Sequence, residues 1–171
     1  VAIVDATIIS ANARPRKVID ISVEGDSKTQ YSSDKDAKWL KKRNKYYFGY
    51  QGFARSDKEG FIDKTHVTPA NLAETKELDK MTDNLAKGAR VQADKGFFSA
   101  ENKNMLKSKG LKNGLMYKAF RNRPLTRRMV QFNKMISKTR WRIEQCFGTI
   151  KRRFNYQKAS YFSTKKVDAQ F

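Results

Sequence analysis

At 171 residues the chain is long enough to enclose one ordinary hydrophobic core, and a net charge of +20 sets what its surface can meet. No apolar run approaches ~18 residues and no signal peptide is visible, which argues against a membrane. The single cysteine, Cys146, excludes an internal disulfide and every multi-cysteine zinc site. A folded domain with this charge and a pI near 10.1 most often meets nucleic acid.

In chain order, residues 1–9 (VAIVDATII) are apolar and β-branched apart from Asp5 and Thr7, which suits a central strand. An aspartate in such a run either caps a turn at the strand end or is buried with a cation or partner. The chain begins at Val1 inside this strand, without Met, so a fragment is expected. Residues 10–38 are polar, hold Pro15 and Gly25, and show no period, which predicts a long loop. Trp39 and Leu40 mark the return to the core. Residues 45–54 (KYYFGYQGFA) and 61–68 (FIDKTHVT) read as an antiparallel hairpin around a charged turn. His66 is the only histidine, and no GxSxG occurs, so it reads as a structural strand residue.

Pro69 ends that strand. Asn71 followed by Glu74 forms a capping-box-like start for a helix with Leu78, Met81 and Leu85 on its buried side and Gly88 at its end. Residues 89–93 (ARVQA) predict a short strand that runs into Asp94. An aspartate there suits either turn chemistry or the site that open α/β sheets build past their strand ends. Ser99 is placed to cap a further helix, with Met105 and Leu106 inward and Gly110 as its stop. Residues 114–120 (GLMYKAF) are a last strand candidate.

Residues 129–154 predict one long amphipathic helix. Met129, Phe132, Ile136, Thr139, Ile143, Phe147, Ile150 and Phe154 recur at spacings of three and four and form its seam. Cys146 lies towards that seam as a buried structural thiol. Arg140, Glu144 and Lys151 share a face bordering the seam, because offsets of four and seven are close to whole turns. Between residues 102 and 158 there are 17 Lys and Arg against one acid, Glu144. Such a carboxylate stays ionised, either as a surface salt bridge or as a metal ligand beside a DNA-binding surface.

The predicted order of strand, hairpin, helix, strand, helix, strand and long helix gives a mixed α/β sheet with helices packed on it. Neither GxxxxGK nor GxGxxG occurs, so no common nucleotide-binding loop is supported. Asp5, Asp94 and Glu144, if they meet, form an all-oxygen site suited to Mg²⁺ or Mn²⁺ and not Zn²⁺. Two such ions about 4 Å apart serve phosphodiester chemistry.

The chain resembles the catalytic domain of bacterial insertion-sequence DDE transposases, which have a ribonuclease H-like fold. One branch carries Y-x2-R-x3-E-x6-K on its last catalytic helix, and Arg140-x3-Glu144-x6-Lys151 matches three of those four positions. Ser137 stands where the signature has Tyr, and no role is carried to it. VDAT around Asp5 and QADKGF around Asp94 resemble the family's two aspartate motifs, and KYYFGYQGF, THVTPAN and KTRWRIEQCFGTIKRRF extend the likeness over nearly the whole chain.

The resemblance implies an α/β, ribonuclease H-like domain over residues 1–171, a fragment lacking an N-terminal DNA-binding region. Asp5, Asp94 and Glu144 would be catalytic residues binding two Mg²⁺ or Mn²⁺ ions, and Arg140 and Lys151 would contact DNA phosphate. It implies cleavage and strand transfer at transposon ends, DNA as partner, a homodimer pairing two ends, and a cytoplasmic, nucleoid-associated protein. The alternatives are a nuclease of the same fold without strand transfer and a non-catalytic DNA-binding descendant.

Overall fold

The strand around Asp5 forms because a β-branched run can be buried on both faces of a central strand: Ile3, Val4 and Ile9 are fully buried along β1 (Ala2–Ser10). The computed structural model describes residues 1–13, 17–21, 27–31 and 33–171, with backbone alone for 17–21 and 27–31. After β1 come β2 (Lys17–Ile21), β3 (Ser27–Tyr31), β4 (Lys38–Lys42), β5 (Lys45–Ser56) and β6 (Ile62–Pro69). Then follow α1 (Glu74–Met81), β7 (Arg90–Ala93), a 3₁₀ turn (Lys95–Phe97), α2 (Ala100–Ser108), β8 (Lys112–Leu115), α3 (Arg127–Arg153) and α4 (Thr164–Gln170).

Six strands form a sheet in the order β4-β5-β1-β7-β8, with β6 also paired to β5. β1 and β8 both run parallel to β7, whereas β4 and β5 are antiparallel, so the sheet is mixed. With its flanking helices this is an α/β, ribonuclease H-like architecture. Among the described residues, no helix is long and apolar enough to cross a membrane.

The predicted long loop is corrected by β2 and β3, which pair antiparallel as a separate two-stranded sheet. Pro15 and Gly25 lie outside the described residues. Trp39 and Leu40 do not return to the core, because they lie on β4 at the sheet's end, where Trp39 stays exposed. The expected capping box is also absent. Ala73 is the N-cap of α1 and makes no side-chain cap. The helix stops at Met81 rather than near Gly88, since the buried Arg55 guanidinium donates to the carbonyls of Met81 and Asp83 at 2.9 and 2.8 Å. The last strand lies earlier than expected, at Lys112–Leu115.

Contacts divide the chain into two units, and β1, β5, β6 and α3 contribute to both. One unit comprises Val1–Ala6, Phe53–His66 and Ala73–Ile150. Its core gathers Val4 and Phe53 with Leu78 and Met81 of α1, Val91 and Ala93 of β7, Leu106 of α2 and Leu115 of β8. Phe97 meets Phe53 edge-on at a centroid distance of 6.2 Å. Ser99 caps α2 as expected, accepting from the Asn102 amide at 3.0 Å. Asn133 of α3 is buried and bonds both backbone groups of Tyr117, at 2.8 and 3.0 Å, which ties the helix to the segment after β8. His66 is structural, with Nε2 3.2 Å from the buried Glu77 carboxylate.

The second unit comprises Thr7–Gly52, Val67–Leu72 and Lys151–Phe171. Asp34 is buried there and accepts a 2.6 Å hydrogen bond from the Tyr50 hydroxyl. Burial and that carboxylate raise the Tyr50 hydroxyl pKa far above the ordinary phenol value. The Asp36 carboxylate accepts from the Thr164 amide at 2.8 Å and fixes the start of α4. A Cβ at Gly49 would lie 2.2 Å from the Ile9 carbonyl oxygen, so only glycine permits this approach of β5 to β1.

Candidate active site

Asp5 and Asp94 are brought together by strand pairing. The parallel register sets Ala2 against Val91, Ile3 against Gln92 and Val4 against Ala93, so the next residue on each strand is one of the two aspartates. Asp94 leaves β7 in extended conformation and opens the 3₁₀ turn at Lys95–Phe97. The turn is anchored by Phe97, fully buried in the core, and by the Asn102 side chain, which donates to the Phe97 carbonyl at 2.8 Å.

The third side of the site is α3. Ile136, Ile143 and Phe147 of the predicted seam are buried, and they turn Arg140 and Glu144 towards the aspartates. The Thr139 hydroxyl donates to the Gln92 carboxamide, a direct link from this helix to β7. The seam ends before Phe154, which is exposed because the helix stops at Arg153 and Asn155 takes a left-handed backbone. Cys146 is half-buried and free, and its thiol donates to the Gly60 carbonyl at 3.1 Å.

Arg140 lies among the carboxylates. Its Nη2 is 2.6 Å from Asp5 Oδ2 and 3.8 Å from Glu144 Oε1, and its Nη1 is 3.5 Å from Asp94 Oδ1. All three predicted acids therefore converge on one guanidinium. The Arg140 side chain is only 9% exposed and Asp5 14%, while Asp94 and Glu144 are 45% and 61% exposed. The site thus has a buried floor, Asp5 with Arg140, and two rim carboxylates open to solvent. Burial raises the Asp5 pKa above the ordinary carboxylate value, with Arg140 opposing it and Asp94 adding to it. Nε of Arg140 is buried without a hydrogen-bond partner among the described residues.

The donor set is chemically right for a hard divalent cation, since it offers carboxylate oxygen and neither imidazole nor thiolate. Among the described residues no three acidic, histidine or cysteine side chains stand close enough to hold an ion. The guanidinium sits between them and supplies the positive charge that their negative charges require. Lys151, seven residues after Glu144, is partly buried and held below the ordinary lysine value, first by burial and then by Lys42.

Sequence reasoning places Arg140 at the border of the seam as a DNA contact, and it gives no sign of how deeply that side chain is buried. Gln92 and Asn133 also escape it, although both are buried polar groups that orient α3. A glutamine inside a short apolar strand and an asparagine one position past a seam residue are the only signals in the sequence.

The chain matches the family described as "Transposase DDE domain" over residues 1–171. It is 48% identical over 172 residues to the "Transposase for insertion sequence element IS1106" of Neisseria meningitidis serogroup B. That match covers 99% of this chain and 60% of the relative, so the chain spans about three fifths of the relative's length. Strand pairing, the helix carrying R-x3-E-x6-K and these two matches agree: the chain belongs to the DDE transposase family of bacterial insertion sequences.

Proposed function

We propose that the chain carries the catalytic centre of a DNA transposase, with Asp5, Asp94 and Glu144 as the residues that hold divalent cations, Mg²⁺ or Mn²⁺. The observation that carries this reading is the convergence of carboxylates from β1, β7 and α3 on one guanidinium. A divalent cation bound there supplies Lewis-acid polarisation of a phosphodiester and lowers the pKa of an attacking hydroxyl.

The chain's own residues hold the site together without that ion. Arg140 neutralises Asp5 and keeps the three carboxylates gathered against their mutual repulsion. With a divalent cation held by the carboxylates, the Arg140 guanidinium would be free to pair with a phosphate oxygen of the DNA, a bidentate match for its geometry. Lys151 contacts a DNA phosphate as a point charge.

In this reading water attacks the phosphodiester at the transposon end, breaking the bond from phosphorus to the 3′ oxygen and leaving a 3′-hydroxyl and a 5′-phosphate. That 3′-hydroxyl then attacks a target phosphodiester and displaces another 3′ oxygen. One bond forms for each bond broken, so no external energy source is needed.

The test is incubation of the transposase with a duplex carrying a transposon end, target DNA and Mg²⁺ or Mn²⁺. Cleavage and joining should both occur and both be lost in Asp5→Asn, Asp94→Asn and Glu144→Gln. Cleavage without joining would make the protein a nuclease, and binding with neither would make it a DNA-binding protein only.

A further inference from the structure

The β4–β5 hairpin has features that the catalytic reading does not use. It pairs Lys42 with Lys45, Lys41 with Tyr46 and Trp39 with Phe48, and it turns through Arg43 and Asn44. Residues 38–47 (KWLKKRNKYY) hold five cations and no acid. Lysines on an edge strand protect it from pairing with other chains, which accounts for cations at the edge. Edge protection does not account for the aromatic residues. Trp39 is 42% exposed and Tyr46 64% exposed, on the same face of the ribbon. Trp39 rests on Phe48 at a centroid distance of 5.3 Å, and Lys41 Nζ lies 5.3 Å over the Tyr46 ring. The face is therefore aromatic and cationic together.

The tip carries a second mark. Arg43 has φ +56°, a left-handed conformation where a side chain costs about 1 kcal/mol and glycine or asparagine is usual. Its guanidinium makes no ion pair with any described residue, so no ion pair offsets the cost of arginine at that turn position. The tip is also concave, because Lys42, Arg43, Asn44, Lys45 and Tyr47 line a hollow of about 510 Å³. Lys151, in the same unit, is held below its ordinary value first by burial and then by Lys42, so like charges are gathered here and not dispersed. Gathering cations is unfavourable by itself and becomes favourable against a polyanion.

We propose that the β4–β5 hairpin is a further DNA-binding element, in which Arg43 and Lys45 grip the phosphodiester backbone of duplex DNA and Tyr46 packs against its sugars. A two-stranded ribbon is narrow enough for a major groove of about 12 Å. The proposal rests on the reading that the chain acts on DNA, and the test below separates the failure of one from the failure of the other.

Anisotropy titrations of a labelled random-sequence duplex are compared for the wild type, Arg43→Gly with Lys45→Ala, Tyr46→Ala, and a control with Lys107→Ala and Lys112→Ala. The hairpin double variant should bind at least about 10-fold more weakly and lower the slope of log K against log salt by about 2. Tyr46→Ala should weaken binding with no change in that slope. Arg43→Gly alone should leave the melting temperature unchanged or raise it while weakening binding, since glycine relieves the left-handed strain. Unchanged affinity in the hairpin variants, or an equal loss in the control, would overturn the proposal. A wild-type chain that binds no duplex would instead overturn the DNA reading, and the hairpin's role with it.

Discussion

Arg140 holds one positive charge against Asp5, Asp94 and Glu144, and its contributions to stability and to ion binding pull in opposite directions. Arg140→Ala leaves Asp5 buried without its cation and should destabilise the fold by about 3 kcal/mol, measured by urea denaturation. Mn²⁺ should then raise the melting temperature of this variant more than that of the wild type, because the guanidinium no longer competes. Glu144→Gln, on the exposed rim, should change stability by less than about 0.5 kcal/mol. Asp5 gives the pH dependence. Its pKa is raised, chiefly by burial, so it takes up a proton at a higher pH than an ordinary carboxylate. Mn²⁺ affinity should be complete above that raised pKa and fall as acid carries the pH through it, with Asp5→Asn removing the step. For stability the sign is reversed from that of a salt-bridged acid with a depressed pKa: protonating Asp5 favours the fold.

β1, β7 and α3 were legible in the sequence because each has its own local signal, a β-branched run for β1, a short stretch running into Asp94, Lys95 and Gly96 for β7, and a spacing of three and four for the helix. Asp94 follows the last residue of β7, and Glu144 follows a seam residue, so the three acids could be placed on elements without any knowledge of contacts. β2, β3 and β4 were not legible, because strands such as SKTQY and KWLKK lack apolar alternation. The early end of α1 was equally hidden, since it depends on Arg55, some 26 residues upstream of Met81. Gly49 shows the same limit. Its glycine is required by a carbonyl of β1, and Gly49→Ala should destabilise the chain by about 3 kcal/mol or more, measured by thermal unfolding. A melting temperature within a degree or two of the wild type would contradict the close approach.

For the whole molecule the charge of +20 is the leading physical fact, and it predicts steep salt dependence of DNA binding. Lys151→Ala should weaken binding across all sequences and lower the salt slope by about 1, because a phosphate contact carries no sequence information. A loss confined to one sequence would contradict that role. The uneven distribution of charge, with Glu144 alone among the 17 cations of residues 102–158, would in the proposed reading surround a negative site with cations that attract a polyanion.

The central claim is that Asp5, Asp94 and Glu144 form one cation site, and Mn²⁺ soaked into crystals of the protein tests it most directly. Anomalous density should stand between the three carboxylates with the Arg140 guanidinium moved aside, and it should weaken or vanish in Glu144→Gln. No density there at saturating Mn²⁺, with Arg140 still seated on Asp5, would contradict the account.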